Sequence, residues 1–237
     1  MEKKFLAIIP ARGDSKRIPR KNIALLDGKP LIQYTIEAAR GCPLIDRIVV
    51  STEDAEVAEV AKALGAEVPC LRPQELAQDN TYTLPVLQHM MAYLQEEQDY
   101  QPWAVVTLQP TSPLRTSQHL TQAIELFLGD EQADSLVSVV QAPHNMIPQS
   151  LMKLEGPYLK NYLEQESLVL RSQDKPVLYA RNGAAIYITR ADKLKDYIFG
   201  GNTLHFIMPK MSSFDIDNLE DLKLIELLLK NWDYGQN

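Results

Sequence analysis

The sequence is poor in residues that mark several common classes of protein. It holds two cysteines among 237 residues and no apolar run of the ~18 residues that a membrane-spanning helix needs. Cys42 and Cys70 lie far apart without metal-site spacing, so we expect reduced, packed thiols and a cytoplasmic protein. The first residues, MEKKFLAIIPAR, return to charge too early for the core of a signal peptide.

Positive charge is also scarce overall. The chain has 31 acidic and 24 basic residues, a formal net charge of -7 and a pI of about 5.2. This balance argues against a general binder of nucleic acid or of anionic membranes. The sequence has neither G-x-G-x-x-G nor G-x-x-x-x-G-K-[ST], which argues against a dinucleotide dehydrogenase and a P-loop ATPase. A hydrolase is not favoured either, because no nucleophile elbow is present.

One short segment nevertheless concentrates cations. PARGDSKRIPRKN, residues 10–22 and here called the basic loop, carries five Lys or Arg residues between Arg12 and Lys21 and a single acid, Asp14. It follows FLAIIP, residues 5–10, which has the pattern of a buried parallel strand, and ligands bind at the carboxyl ends of such strands. A solvated basic surface is the alternative. The position favours binding of an anion such as a triphosphate, helped by backbone N–H groups freed by Gly13.

Apolar periodicity predicts an α/β fold, a mostly parallel, doubly wound Rossmann-like sheet with helices on both faces. We expect one domain over 1–237. The predicted strands are 5–10, 47–52, 66–71, 103–109, 135–140, 184–189 and 204–209, and the predicted helices are 31–40, 54–65, 83–97, 117–128 and 218–231. Prolines and charges interrupt the pattern at 141–180, which we interpret as an insertion, either a small subdomain or an oligomer arm.

A pair of acids near the end of the chain indicates a metal site. In FDID, residues 214–217, the side chains of Asp215 and Asp217 point to the same side if the chain is extended. Two convergent carboxylates suit Mg²⁺, which fills its remaining positions with phosphate and water oxygens. Asp217 also fits the N-cap of the closing helix, an alternative that does not explain Asp215.

A second polar turn follows a predicted strand. QPTSPLR, residues 109–115, sets Gln109, Ser112 and Arg115 on a proline-bracketed turn suited to a small polar ligand, although such turns are also ordinary loops. A cationic loop for phosphates, a carboxylate pair for Mg²⁺ and a polar pocket together indicate nucleotidyl transfer.

Five segments resemble, in the same order, those of the acylneuraminate cytidylyltransferases, the CMP-sialic acid synthetases. They are IIPARGDSKRIPRKNI (8–23), LRPQELAQD (71–79), LQPTSPLRT (108–116), RNGAAIYI (181–188) and FDID (214–217). The resemblance implies attack of the anomeric hydroxyl of a nine-carbon 2-keto sugar acid on the α-phosphate of CTP, with release of pyrophosphate and a requirement for Mg²⁺. It also implies a homodimer, in which the insertion, as a dimerisation arm, reaches the partner and completes its site.

The resemblance assigns roles to single residues. Arg12, Lys21 and Asp215 match catalytic positions, and Asp215 with Asp217 matches the metal ligands. Matches to substrate-binding positions are Ala11, Arg12, Lys16, Lys21, Asn22, Arg72, Thr83, Gln109, Ser112, Arg115 and Tyr187, and Arg171 is the basic residue that the arm would contribute to substrate binding. Among these, Arg72 is implied to read cytosine and Gln109 to contact the sugar.

Two departures from the family pattern bear on the sugar. Ala180-Arg181-Asn182-Gly183 stands where members often have arginine-proline-asparagine-glycine, so Arg181 matches only loosely, and APHNMIPQSLMKLEGPY (142–158) lacks a lysine that some members place just after the proline. N,N'-diacetyllegionaminic acid therefore fits as well as N-acetylneuraminic acid. The alternatives are a transferase for KDO or for another nucleotide, and, in a different class, a non-catalytic nucleotide-sugar binding protein.

Overall fold

A seven-stranded sheet lies at the centre of the computed structural model, which describes residues 3–163 and 175–231. The strands of the described chain are β1 (Phe5–Pro10), β2 (Leu25–Leu26), β3 (Lys29–Pro30), β4 (Arg47–Ser51), β5 (Ala104–Thr107), β6 (Ser135–Gln141), β7 (Met152–Glu155), β8 (Tyr158–Asn161), β9 (Tyr179–Arg181), β10 (Tyr187–Arg190) and β11 (Thr203–Ile207). The helices are α1 (Leu31–Arg40), α2 (Ala55–Ala63), α3 (Thr83–Gln98), α4 (Ser117–Leu128) and α5 (Leu219–Asn231).

The sheet is mostly parallel, which confirms the predicted fold class. Its order is β11-β6-β10-β5-β1-β4, and β9 pairs with β6 outside this path. Strands β1, β4, β5, β6 and β11 run in one direction, whereas β10 lies antiparallel between β5 and β6, and β9 is antiparallel to β6. The carboxyl ends of β1 and β5 are therefore neighbours, as a ligand site between them requires.

Helices cover both faces of the sheet, so alternate side chains of β1 pack into two different apolar layers. Phe5, Ala7 and Ile9 pack in the cluster that includes residues of α1, α2 and α4. Leu6 and Ile8 belong to the cluster on the other face, with apolar residues of α3. A strand buried on both sides reads as an uninterrupted apolar run, which is why its bounds were predictable.

A third apolar cluster lies beside the sheet and holds the basic loop. Ile18, the one apolar residue between Gly13 and Lys21 apart from proline, is buried against residues that include Leu114, Ile216 and Ile225 of α5. The closing helix therefore anchors the loop as well as the end of the chain.

Two predicted strands differ from the structure. Residues 66–71 form only isolated bridges, Val49↔Glu67 and Thr52↔Leu71, and the prediction of a full strand there is wrong. Pro69 lies in this segment and cannot donate to a ladder. The strand predicted to begin at 184 begins at Tyr187, because the residues before it form a turn with positive φ.

The insertion contains an exposed hairpin. Strands β7 and β8 pair with Leu154 opposite Leu159, and every residue of both strands is exposed. Because alternate residues share a face, Met152, Leu154 and Leu159 present one apolar surface of the hairpin. Arg171 lies outside the described residues. Within 3–163 and 175–231, no helix is both long and apolar enough to cross a bilayer.

Candidate active site

A cleft of about 250 Å³ opens where β1 and β5 end. Its walls come from three segments that are far apart in the sequence, which are the basic loop, the segment 72–83 and the turn that follows β5. The predicted substrate-binding residues that line it are Arg12, Lys21, Asn22, Arg72, Thr83 and Gln109. Lys16 lines an adjoining hollow with Arg17 and Asp217. Ala11 and Ser112 are fully buried.

Residues that follow β4 support the basic loop through hydrogen bonds. Asp54 caps α2 by accepting from the Val57 N–H, and it also accepts two bonds from the Arg20 guanidinium, at 2.7 and 3.0 Å. A Cβ on Gly13 would lie 2.5 Å from an Asp54 carboxylate oxygen, so only glycine fits there. Asn22 is buried and donates to the Arg12 carbonyl at 2.8 Å, which closes the loop on itself.

The cations at the mouth of the cleft are paired with acids of the same chain. Arg12 and Lys16 both bind Asp79, at 2.8 and 2.6 Å, and Arg17 lies 3.2 Å from Asp217. The hydrogen bond from Lys16 is the main reason that the pKa of Asp79 lies below its ordinary value. The Asp79 carboxylate therefore pairs with two cations that were predicted to hold phosphates.

Asp215 lies in a partly buried cluster next to Lys21. The Ser112 hydroxyl donates to Asp215 at 3.3 Å, and Lys21 donates to the Ile216 carbonyl at 3.0 Å. Burial raises the pKa of Asp215, and Asp217 adds to this effect. Burial likewise lowers the pKa of Lys21, against the opposing charges of Asp215 and Asp217. The two groups thus share a site where each is the main counter-charge available to the other.

A tight turn closes over Asp215. Gly183 has φ +69°, and a Cβ at this position would lie 2.6 Å from the Asp215 carboxyl carbon. The preceding Asn182 is buried, accepts from the Ser138 hydroxyl at 2.6 Å and donates to the Ser213 hydroxyl at 3.0 Å. The turn at residues 181–185, here called the RNG turn, and the FDID segment are therefore fixed against each other. The sequence showed both motifs but not their contact.

The two carboxylates of FDID are donors of the kind that Mg²⁺ takes in proteins. Asp217 does not cap α5, because Asn218 accepts from the Glu220 and Asp221 N–H groups instead, so that alternative is wrong. Within the described residues no three His, Cys, Asp or Glu side chains form a metal cage. Mg²⁺ commonly uses one or two protein carboxylates with phosphate oxygens and water, a requirement that Asp215 and Asp217 match in kind.

Arg115, predicted to contact substrate, instead points into the protein. It is 2% exposed, donates to the Ala185 carbonyl and to the Thr35 hydroxyl, both at 2.7 Å, and does not line the cleft. Desolvation lowers its pKa to about 9. Arg115 therefore links the turn after β5 to α1 and to the RNG turn. It cannot reach a substrate because its guanidinium is buried among protein acceptors.

Tyr187 also lies away from the cleft lining. It is buried on β10, and its ring centroid lies 5.3 Å from that of Phe199. The Arg181 guanidinium lies 4.9 Å from the same Phe199 ring. The structure thus places Tyr187 in an aromatic contact behind the RNG turn, and its predicted sugar contact stays a prediction.

Glu53 is a site residue that no motif marks. It lies between the end of β4 and Asp54, the N-cap of α2, and it bonds both the basic loop and Arg72. The only signal in the sequence is an acid directly after a predicted strand, the same kind of position that the basic loop occupies.

Comparison with known proteins is consistent across the chain. A family model described as Cytidylyltransferase matches residues 6–236. The pseudaminic acid cytidylyltransferase of Campylobacter jejuni is 35% identical over 228 residues, 96% of this chain and 97% of the relative. The CMP-N,N'-diacetyllegionaminic acid synthase of Legionella pneumophila is 34% identical over 232 residues, 96% of this chain and 97% of the relative. The N-acylneuraminate cytidylyltransferase of Escherichia coli is 33% identical over 225 residues, 94% of this chain and 52% of the relative.

The fold also matches solved structures. A structure of CMP:2-keto-3-deoxy-manno-octonic acid synthetase complexed with CTP aligns with a TM-score of 0.70 at 18% identity. The alignment covers 96% of this chain and 98% of that chain. At this identity the likeness concerns the fold.

Replacement of Asp215 by Asn should stabilise the protein at neutral pH when no divalent cation is present. Because the pKa of Asp215 is raised on folding, the ionised carboxylate costs the folded state free energy above that pKa. We expect the free energy of unfolding at pH 8 to rise. The gain should shrink as the pH falls through the raised pKa, since the wild-type carboxyl then becomes neutral. Thermal unfolding at several pH values measures this, and a loss of stability at pH 8 would contradict it.

Replacement of Asp79 by Asn should strengthen binding of inorganic tripolyphosphate, because Arg12 and Lys16 lose their internal anion. We expect the dissociation constant, measured by calorimetry, to fall about threefold, as the pairs are partly exposed. Glu75→Gln is the matched control, since it removes the same charge from an exposed side chain of the same segment. Equal effects of the two substitutions would attribute the gain to net charge alone.

Proposed function

Because the chain belongs to the cytidylyltransferase family, we propose that it transfers CMP from CTP to a nonulosonic acid, a nine-carbon 2-keto sugar acid, with release of pyrophosphate. The family match confirms the resemblance read from the sequence, and the protein is an enzyme of the nucleotidyltransferase class. The observation that carries the proposal is the meeting of Arg12, Lys21 and Arg72 in one cleft, with Asp215 beside Lys21.

The triphosphate would lie along the basic loop. It brings roughly four negative charges, and charge neutralisation with in-line positioning supplies most of the catalysis in such transfers. Arg12 and Lys21 line the cleft and would hold the phosphates, with Lys16 at the mouth. Lys21 donates to the Ile216 carbonyl, and its ammonium would stabilise charge on the departing pyrophosphate.

The cytosine would lie at the other wall of the cleft. Arg72 is 6% exposed, and its buried Nε has no hydrogen-bond partner among the residues that the structure describes. Arg72 lines the cleft, and its guanidinium would donate to the cytosine carbonyl oxygen and to N3, which accepts in cytosine but is an N–H donor in uracil. Thr83, at the start of α3, lines the same wall, and Gln109 follows β5 where the sugar would approach.

We further propose that Asp215 and Asp217 hold Mg²⁺. The bound ion would neutralise phosphate oxygens and so favour attack on the α-phosphorus. The sugar's anomeric oxygen forms the new P–O bond while the bond to pyrophosphate breaks. Ser112 orients the Asp215 carboxylate, and Gly183 leaves the space that this carboxylate occupies.

In the presence of Mg²⁺, the enzyme should release pyrophosphate from CTP with one of several sugar acids that are assayed in parallel. Pseudaminic and N,N'-diacetyllegionaminic acids are named by two relatives, and N-acetylneuraminic acid represents the N-acylneuraminates named by the third. KDO is the comparison substrate. Binding of CTP without pyrophosphate release for any of them would favour a non-catalytic nucleotide-sugar binding protein.

Asp215→Ala should lower kcat by about a hundredfold or more, because the carboxylate would hold the Mg²⁺ that neutralises charge in the transition state. Lys21→Ala should lower turnover similarly, with a defect that saturating sugar does not rescue. Circular dichroism checks that both variants are folded. Activity of Asp215→Ala near the wild-type value would remove the metal assignment.

We also propose that the protein is a homodimer joined through the hairpin of β7 and β8. Leu154 is 80% exposed and Leu159 is 61% exposed, on one face with Met152, and an apolar face of this kind is typical of an interface. A second copy is the occupant that the family resemblance implies.

Leu154→Asp should convert the dimer to a monomer, because it buries a charge in the proposed interface. Light scattering coupled to gel filtration measures the mass. Lys153→Asp, on the opposite face of the same strand, is the matched control and should remain a dimer. A dimer that survives Leu154→Asp would place the interface elsewhere.

Two further expectations concern the cellular setting. Cys42 and Cys70 are both free thiols, as is usual in a reducing compartment, and we infer that the protein works in the cytoplasm.

We expect no nucleic-acid partner, because the loop's cations are paired within the chain and the overall charge is negative.

A further inference from the structure

Glu53 connects the two walls of the cleft. Its side chain is 9% exposed, and each carboxylate oxygen has a different partner. Oε1 accepts from the backbone N–H of Gly13 at 2.7 Å, and Oε2 accepts from Arg72 Nη2 at 2.7 Å. Gly13 belongs to the basic loop and lies next to Arg12, whereas Arg72 lies on the opposite wall.

The link through Glu53 is the most buried of the ion pairs in the described part of the chain. The side chains of Arg72 and Glu53 are 4% and 9% exposed, compared with 36% and 22% for Arg20 and Asp54, which also support the basic loop. Water cannot easily replace a partner at such a depth, so the loss of one leaves a buried charge unpaired. The backbone of Arg72 is fixed as well, since its N–H donates to the Thr52 carbonyl at 2.8 Å.

We propose that Glu53 is a positioning residue that sets the distance between the phosphate-binding loop and the base-reading arginine. It fixes one end of the Arg72 guanidinium through Nη2, and it fixes the backbone of the basic loop at Gly13. A nucleotide whose base and phosphates match this distance is selected as a unit. The inference rests on the proposed function for the assignment of Arg72 to the base.

Glu53→Gln tests the link because an amide has one acceptor oxygen where the carboxylate has two. The variant must lose the bond to Gly13 or the bond to Arg72. Two binding measurements by calorimetry, which need no sugar, report on the two ends. The preference for CTP over UTP reports on Arg72, and the affinity for inorganic tripolyphosphate reports on the basic loop.

We expect Glu53→Gln to weaken at least one of these two readouts by about tenfold, and Glu53→Ala to weaken both. Glu59→Gln is the control, because it removes the same charge from an exposed position of α2, and both readouts should stay within twofold of their wild-type values. If Glu53→Gln keeps both readouts within twofold of the wild type, the inference is overturned.

A double-mutant cycle separates positioning from general loss of stability. If Glu53 acts through Arg72, the effects of Glu53→Gln and Arg72→Ala on the CTP preference should be strongly non-additive, and additive effects would overturn that half of the inference. The double variant also removes both buried charges, which protects folding. Failure of the wild type to bind CTP would instead count against the proposed function, so the two failures are distinguishable.

Discussion

Every cation of the basic loop is held by an oxygen atom from a part of the chain that is distant in sequence. The partners come from the turn after β4, from the segment before α3 and from the FDID segment, and they are Asp79 for Arg12 and Lys16, Asp217 for Arg17, Asp54 and Glu56 for Arg20, and the Ile216 carbonyl for Lys21. A dense cluster of like charges repels itself unless acids are interleaved with it. The cleft can therefore exist only where these segments converge, and the rest of the fold brings them there.

The parallel sheet supplies that convergence. Strands β1, β4 and β5 end side by side, so the basic loop, the acids Glu53 and Asp54 after β4, and the polar turn after β5 all lie at one edge. The apolar alternation of β1 fixes the strand between two layers, and Ile18 fixes the loop itself against α5. Arg115 contributes inside the protein, where it ties the turn after β5 to α1 and to the turn over Asp215. Packing thus determines where the charges lie.

Much of this arrangement was predictable from the sequence, and the failures have physical causes. Buried strands and amphipathic helices carry strong periodicity, so β1 and α1 were predicted with their observed bounds. Periodicity carries no direction, so the antiparallel course of β10 could not be read from it. Arg115 resembles a ligand-binding residue because nothing in a local sequence says that carbonyls from distant turns will surround it. The role of Glu53 was not predicted for the same reason, since both of its partners are remote in the chain.

The pairing of Arg12 and Lys16 with Asp79 changes what an arriving anion must do. It does not enter an empty positive site but exchanges places with a carboxylate that already satisfies those cations. The number of charges in contact stays nearly constant through the exchange, and few small counterions need to leave. Association should accordingly depend less on ionic strength than the five cations of the loop would suggest, because mobile salt competes with the internal acid and with the ligand alike.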